Sequence, residues 1–220
     1  MSKTYPIISV VGSSGAGTST VKNTFDQIFR REGIRAVSIE GDAFHRYNRA
    51  EMRAELTRRA AEGDANFSHF SYDANELGEL ERVFRDFGET GRGRTRHYVH
   101  DAAEAERHGV PPGEFTAWAP FDDGADLLFY EGLHGCVAND RVNLPALADL
   151  KIGVVPVINL EWIQKIHRDK ATRGYSTEDV TETILRRMPD YVRYICPQFT
   201  ETDINFQRVP TVDTFNPFVA

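Results

Sequence analysis

The chain has 220 residues, 40% hydrophobic and 27% charged, a length that suits one domain with a real core and a composition that excludes a disordered, collagen-like or disulfide-stapled chain. Its formal net charge is −7, the opposite of the balance a nucleic-acid binder shows. No run approaches the roughly eighteen consecutive apolar residues of a membrane span, so a membrane protein is excluded as well.

The start, MSKTYPIISVVG, runs into a glycine turn without a basic, apolar or small-residue export pattern, and a cytoplasmic location is expected. Ile7 to Val11 is a short β-branched run of the kind a buried parallel strand presents. Behind the turn, Val21, Phe25, Ile28 and Phe29 recur at helical spacing, and Gly33 stands where a C-terminal cap belongs. The pattern switches to a strand at Ala36 to Ile39, which makes the opening a βαβ unit. Helical composition returns at Arg49 to Ala61 and at Glu76 to Phe87; Asp126 to Tyr130 and Ile152 to Ile158 read as buried strands. Gly88 to Gly93 and Val110 to Gly124, rich in Gly, Pro and acidic residues, read as surface excursions. The alternation predicts an α/β layered fold with a mostly parallel sheet. Cys136 and Cys196, 60 positions apart without ligand spacing, are expected to be reduced packing residues.

Four segments carry chemistry. In the first, a strand is followed by Gly12, Ser13, Ser14, Gly15, Ala16, Gly17, Thr18, Ser19 and Thr20 and then a helix. Glycines there let backbone N–H groups wrap a polyphosphate at a helix N-terminus, with Ser19 placed to ligate a magnesium ion. Thr18 stands where a phosphate-binding lysine is expected, so either no triphosphate is held or a cation comes from elsewhere in the chain. The second is Asp126 to Gly132, an apolar strand ending in Glu131, a carboxylate suited to Mg²⁺ or its water ligands.

The third is SIEGDAFHR at the carboxyl end of the second strand, where open α/β sheets place ligands. Asp42 is the first choice for a general base toward an alcohol. His45 and Arg49, four apart, would share a helix face and grip an anionic group. In the fourth, Lys165, Arg168, Asp169 and Arg173 gather charge on one side of a helix ending near Gly174. That is either a solvated face or a lid carrying the cations the loop lacks. The basic stretch Arg92 to His100, with Tyr98, either lines a pocket for a phosphorylated sugar or is a solvated loop.

GSSGAGTST, SIEGDAFHR, LLFYEGLHG and KIGVVPVINLEWIQKIHRDKATRGY, in that order, resemble the bacterial (class I) phosphoribulokinases through essentially the whole chain. The resemblance implies a P-loop, nucleoside-monophosphate-kinase-like three-layer α/β/α fold in one domain spanning 1–220, with ATP and Mg²⁺ as cofactors. It implies phosphorylation of D-ribulose 5-phosphate at its 1-hydroxyl, the reaction that supplies the CO₂ acceptor of the Calvin cycle. Position by position, Asp42 corresponds to the base, Asp169 to a second acidic residue needed for turnover, and Lys165 and Arg168 to cations on the transferring phosphoryl group. His45, Arg49 and Arg173 correspond to sugar-phosphate contacts and Glu131 to the Walker B carboxylate; Lys165 would do the work of the missing loop lysine.

Members of that family usually continue past a motif like NPFVA with further strands and a helix, which this chain is expected to lack. They form homo-oligomers, typically octamers, activated by NADH and inhibited by AMP, and Arg31 resembles one regulatory arginine. Uridine and pantothenate kinases share the loop and fold but take other acceptors; His45, Arg49 and Arg173 favour a phosphorylated one. A nucleotide-binding regulator without turnover would find its support in Thr18.

Overall fold

A computed structural model describes residues 4–13, 15–121, 124–173 and 176–209; the side chains of Pro156, Thr172 and Arg173 lie outside that description. The elements run β1 (Ile7–Val11), α1 (Thr18–Glu32), β2 (Ala36–Glu40), α2 (Arg49–Ala61), α3 (Leu77–Thr90), β3 (Arg94–Thr95), α4 (Ala102–His108), β4 (Ala119–Pro120), β5 (Leu127–Gly132), β6 (Leu150–Pro156), α5 (Ile158–Arg173), α6 (Thr177–Asp190) and β7 (Ile204–Arg208). Five strands form one sheet in the order β2-β5-β1-β6-β7, and every pairing in it is parallel. β3 and β4 make a small antiparallel pair of their own.

The three layers follow from side-chain alternation along the strands. Ile7, Ile39, Leu128 and Tyr130 point to one face and pack against Leu80, Val83, Phe84 and Phe87 of α3. Ile8, Val10, Leu127, Phe129 and Ile152 point to the other face and meet Phe25 and Phe29 of α1. Because both faces are covered, the strands read as continuous apolar runs. All five residues of β1 are buried.

Several elements depart from what the pattern predicts. The strand predicted over 152–158 lies two residues earlier, because Pro156 ends its ladder and Ile158 opens α5. Gly88 to Gly93 is only partly a surface excursion. α3 continues to Thr90 with Gly88 buried, and Gly91, with φ +69°, sits directly against the Tyr5 ring. In the 110–124 stretch, the described residues pair rather than wander: Val99 N–H donates to Glu114 O and Gly113 N–H to Val99 O. Helix α6 contains Pro189, which has no N–H for the i−4 carbonyl, and the chain continues from it as a wider π turn over Tyr191–Ile195. Both cysteines are free, with Cys136 buried.

Helix α5 is seated on the glycine loop through a buried carboxyl. Ser13 Oγ donates to Glu161 Oε1, and a side chain at Gly15 would strike the Glu161 carbonyl. Glu161 is 4% exposed, with the Tyr191 hydroxyl beside its carboxyl. Burial pushes this carboxyl up from an ordinary value near 4.5 to about 7, against the opposing pull of Ser13 and Lys165.

The folded state therefore holds the Glu161 proton more tightly than the unfolded chain. This contribution to stability is complete below the ordinary carboxyl range and disappears as pH rises to about 7. Glu161→Gln keeps a partner for Ser13 and removes the titration. Relative to the native chain, the variant should gain about 2 to 3 kcal/mol between pH 5 and pH 8. Urea unfolding at the two pH values measures this, and identical pH dependence in both proteins would contradict it.

Candidate active site

The glycine loop joins β1 to α1. Gly15 and Gly17 have φ of +105° and +100°, in the left-handed region that only glycine enters without strain. Gly17 is the N-cap of α1, with no side-chain cap and no acidic residue in the first turn. The helix N-terminus is thus left to an anion, which its dipole favours. At Gly12 a Cβ would lie 2.7 Å from Thr18 Cγ2, so the loop closes tightly only around a glycine. Thr18, in the lysine position, is buried, with its hydroxyl near enough to Glu131 to oppose the rise of that carboxyl. Ser19 and Thr20 are exposed just beyond it, Ala16 is buried in the loop, and Ser14 lies outside the described residues.

Asp42 sits in the 3₁₀ turn Gly41–Phe44 that leaves β2. The turn lies against the end of β5 because both chains carry glycine there. A Cβ on Gly132 would lie 2.6 Å from Gly41 Cα, and one on Gly41 would lie 2.7 Å from the Tyr130 hydroxyl. Two histidines hold the Asp42 carboxylate: His45 Nε2 is 3.1 Å from Oδ1 and His100 Nε2 is 3.3 Å from Oδ2. Enclosure by protein would by itself raise this carboxyl, but the His45 charge and the bond from His100 override it and hold Asp42 well below the ordinary carboxylate range.

His45 and Arg49 do not share a helix face. His45 ends the 3₁₀ turn in extended conformation, and α2 begins only at Arg49, behind a capping box of Asn48 and Glu51. Both nevertheless line one cavity of about 490 Å³, together with Tyr98, His100, Lys165 and Asp169. Arg49 Nη2 donates to His100 O at 2.9 Å. The basic stretch Arg92 to His100 is held in place rather than loose. Tyr98 bridges to Phe115, and Arg96 donates to Ala43 O and His45 O at 2.8 and 2.7 Å while lying 3.7 Å over the Phe115 ring.

A second cavity, also about 490 Å³, opens under the glycine loop and is lined by Gly12, Gly17, Ser19, Glu131, Gln164 and Arg168 among others. Asp42 and His100 line both cavities, so the carboxylate stands where the two meet. On α5, Asp169 is 3% exposed and gathers two cations: Lys165 Nζ at 2.7 Å and Arg168 Nη2 at 2.9 Å. Burial lowers the Lys165 ammonium pKa, partly offset by Asp169. Arg173 closes α5, but its side chain and Gly174 lie outside the described residues.

Glu131 suits a cation. Burial raises its carboxyl, and the charges of Asp42 and Glu40 add to the rise while Thr18 opposes it. A divalent ion would relieve that crowding, with Ser19 beside it. Among the described residues no group of three or more His, Cys, Asp or Glu side chains forms a metal cage. Magnesium is a cation that takes few protein ligands and completes its shell with water and phosphate oxygens.

Sequence reasoning missed several residues here. Arg208 Nη1, from β7, donates to Ala16 O at 2.9 Å and Gln164 Oε1 at 3.0 Å, lying against Gly17; no motif marks it. Nor does any motif mark Glu161 or Asn75, the latter bound to His45 Nδ1 at 2.8 Å.

Comparison with known proteins agrees with this geometry. Residues 7–215 match the model of the Phosphoribulokinase / Uridine kinase family. Phosphoribulokinase 2 of Cereibacter sphaeroides is 78% identical over all 220 residues of the chain and 75% of its own length. The solved phosphoribulokinase from Rhodobacter spheroides superposes with a TM-score of 0.87 at 72% identity, covering 100% of this chain and 75% of that one. D-glycerate 3-kinase from Cryptococcus neoformans shares the fold, with a TM-score of 0.59 at 15% identity over 93% of this chain and 86% of its own. A P-loop kinase fold and a match over nearly the whole chain lead to one assignment: the chain belongs to the phosphoribulokinase / uridine kinase family, among its bacterial phosphoribulokinases.

Proposed function

We propose that this chain phosphorylates D-ribulose 5-phosphate with ATP at the 1-hydroxyl, giving D-ribulose 1,5-bisphosphate and ADP. The observation that carries this reading is the position of Asp42, on the wall shared by the cavity under the glycine loop and the cavity lined by His45 and Arg49. A hydroxyl in the cavity lined by His45 and Arg49 then faces a terminal phosphate under the glycine loop. Its oxygen bonds to the γ-phosphorus as the bond to the β–γ bridging oxygen breaks, and its proton passes to the Asp42 carboxylate. His45 and His100 keep that carboxylate ionised and aimed.

On the nucleotide side, the amides at the start of α1 receive the phosphates. Glu131 and Ser19 would hold Mg²⁺, which supplies charge neutralisation on the phosphate oxygens. Lys165 and Arg168, held by Asp169, bring positive charge to the boundary between the cavities. His45, Arg49, Tyr98 and His100 form the acceptor side, with cations for the sugar's own phosphate. Assembly as a homo-oligomer and control by nicotinamide and adenine nucleotides belong to the same reading, with Arg31, exposed in the last turn of α1, as one contact. Among the described residues no helix is long and apolar enough to cross a membrane.

ADP release with Mg-ATP and ribulose 5-phosphate, run beside uridine and pantothenate, tests the acceptor. Turnover is expected with the sugar phosphate, and its absence at high enzyme concentration would sink the reading. Asp42→Asn should lower kcat by about three orders of magnitude or more, in keeping with loss of a general base, while ATP binding by calorimetry stays nearly intact. Near-native turnover would remove Asp42 from the role of base. Arg49→Ala should mainly raise KM for the sugar phosphate, about tenfold or more, as lost ground-state binding does. A pure kcat effect would move Arg49 to the transition state.

A further inference from the structure

His45 is buried and has a partner on each ring nitrogen. Nε2 faces Asp42 Oδ1 at 3.1 Å, and Nδ1 faces the side-chain amide of Asn75 at 2.8 Å. Which end of that amide meets the ring is decided by counting protons. Asn75 is 2% exposed, and its other end lies 2.9 Å from His69 O and 2.8 Å from Ser71 O. Two carbonyl oxygens can be served only by the NH₂ group, whose two protons they use up. The amide oxygen therefore faces His45, and it can only accept. His45 Nδ1 must carry a proton.

That conclusion constrains the other nitrogen. A neutral ring protonated at Nδ1 would turn the Nε2 lone pair on the Asp42 carboxylate. A neutral ring protonated at Nε2 would turn the Nδ1 lone pair on the amide oxygen. Only the doubly protonated ring satisfies both contacts. We propose that Asn75 is a positioning residue of this site: by accepting the Nδ1 proton of His45 it obliges His45 to stand as an imidazolium against Asp42, so that the acceptor's phosphate meets a fixed positive charge.

The surroundings of His45 agree. Burial and the nearby Arg96 guanidinium disfavour the charge, yet Asp42 and the Asn75 bond outweigh them and the imidazole is raised above its ordinary value. Two neighbouring rings, His69 and His134, supply no competing charge. His69, at 4.5 Å between centroids, is held neutral chiefly by burial, and His134 is pushed down to about 4 for the same reason. Tyr98 meets the His45 ring edge-on at 6.2 Å, and His100 reaches Asp42 from the far side.

The proposal rests on the acceptor reading above, but its first test uses no substrate and so fails or succeeds separately. In ¹⁵N-histidine NMR of the native chain, with His45 assigned by its loss in His45→Gln, both ring nitrogens should be protonated at pH 7.5, where an ordinary imidazole is about nine-tenths neutral. A neutral His45 there overturns the proposal, whether or not the Asn75 variants fold. Asn75→Ala should return His45 to a neutral ring at that pH, whereas Asn75→Asp, which keeps an acceptor but loses the donors to His69 and Ser71, should keep it charged. In turnover, KM for ribulose 5-phosphate should stay nearly level from pH 6 to pH 8 in the native and Asn75→Asp proteins. In Asn75→Ala it should rise about tenfold over that range as His45 loses its charge. If Asn75→Ala and Asn75→Asp behave alike in ring signature and KM profile, Asn75 serves only the turn it bonds to, and the proposal falls.

Discussion

Four carboxyl groups crowd the edge of the sheet where a polyanion is to be received, and each needs a reason to be tolerated. A carboxylate withdrawn from water is costly unless paired, hydrogen-bonded or protonated. This molecule uses a different answer for each. Asp42 is held between two imidazoles. Asp169 gathers Lys165 and Arg168. Glu161 keeps its proton to about pH 7. Glu131 has the Thr18 hydroxyl and the Lys22 charge against its burial and its acidic neighbours, and its carboxyl is still raised, which makes it a group that gains from a divalent cation. Removing any one compensation would leave a like charge facing incoming phosphate.

The sheet makes this arrangement possible. Parallel strands point their carboxyl ends the same way, so the turns after β1, β2 and β5 open on one side, where α/β folds bind ligands. Close approach is then a matter of glycine. Gly41 and Gly132 pass within the space that a single Cβ would fill, bringing the Asp42 turn beside the Glu131 strand end. The loop that follows β1 turns on two left-handed glycines. The spacing within the candidate site is therefore set by backbone contacts more than by its side chains themselves.

That explains what could be read from the sequence and what could not. The strands at Ile7, Ala36 and Asp126, the first helix with its Gly33 cap, and the loop with its Thr18 were legible, because each is a local pattern: a short apolar run, a period of 3.6 or a glycine turn. Asp42 and Glu131 were legible for the same reason: they lie at or just past the carboxyl ends of strands. The 3₁₀ turn at Gly41–Phe44 was not, since a pair four apart is compatible with a helix until Asn48 and Glu51 are seen to cap one later. Nor was basicity a dependable guide. Arg58 and Arg59 pair with Glu55 on the flank of α2, and Arg94 pairs with Glu79, so much of the basic charge on α2 and at the start of the Arg92 to His100 stretch serves the exterior. Asn75, Glu161 and Arg208 act through contacts 30, 148 and 192 residues away in the chain, which no local pattern records.

Thr18 ties these threads together. A lysine in the loop would carry its charge on the same rigid turn that holds the phosphates. Here the position is occupied by a small buried hydroxyl engaged with Glu131, and the cations stand instead on α5 and β7. Lys165 and Arg168 reach the site only while α5 lies on the loop, and Arg208 joins α5 to the loop through Gln164 and Ala16. The same seating depends on the Glu161–Ser13 bond and on the absence of a side chain at Gly15. Moving the charge from the loop to the helix thus makes positive charge at the nucleotide side conditional on a packing contact, so the position of α5 governs electrostatics that a loop lysine would have supplied unconditionally.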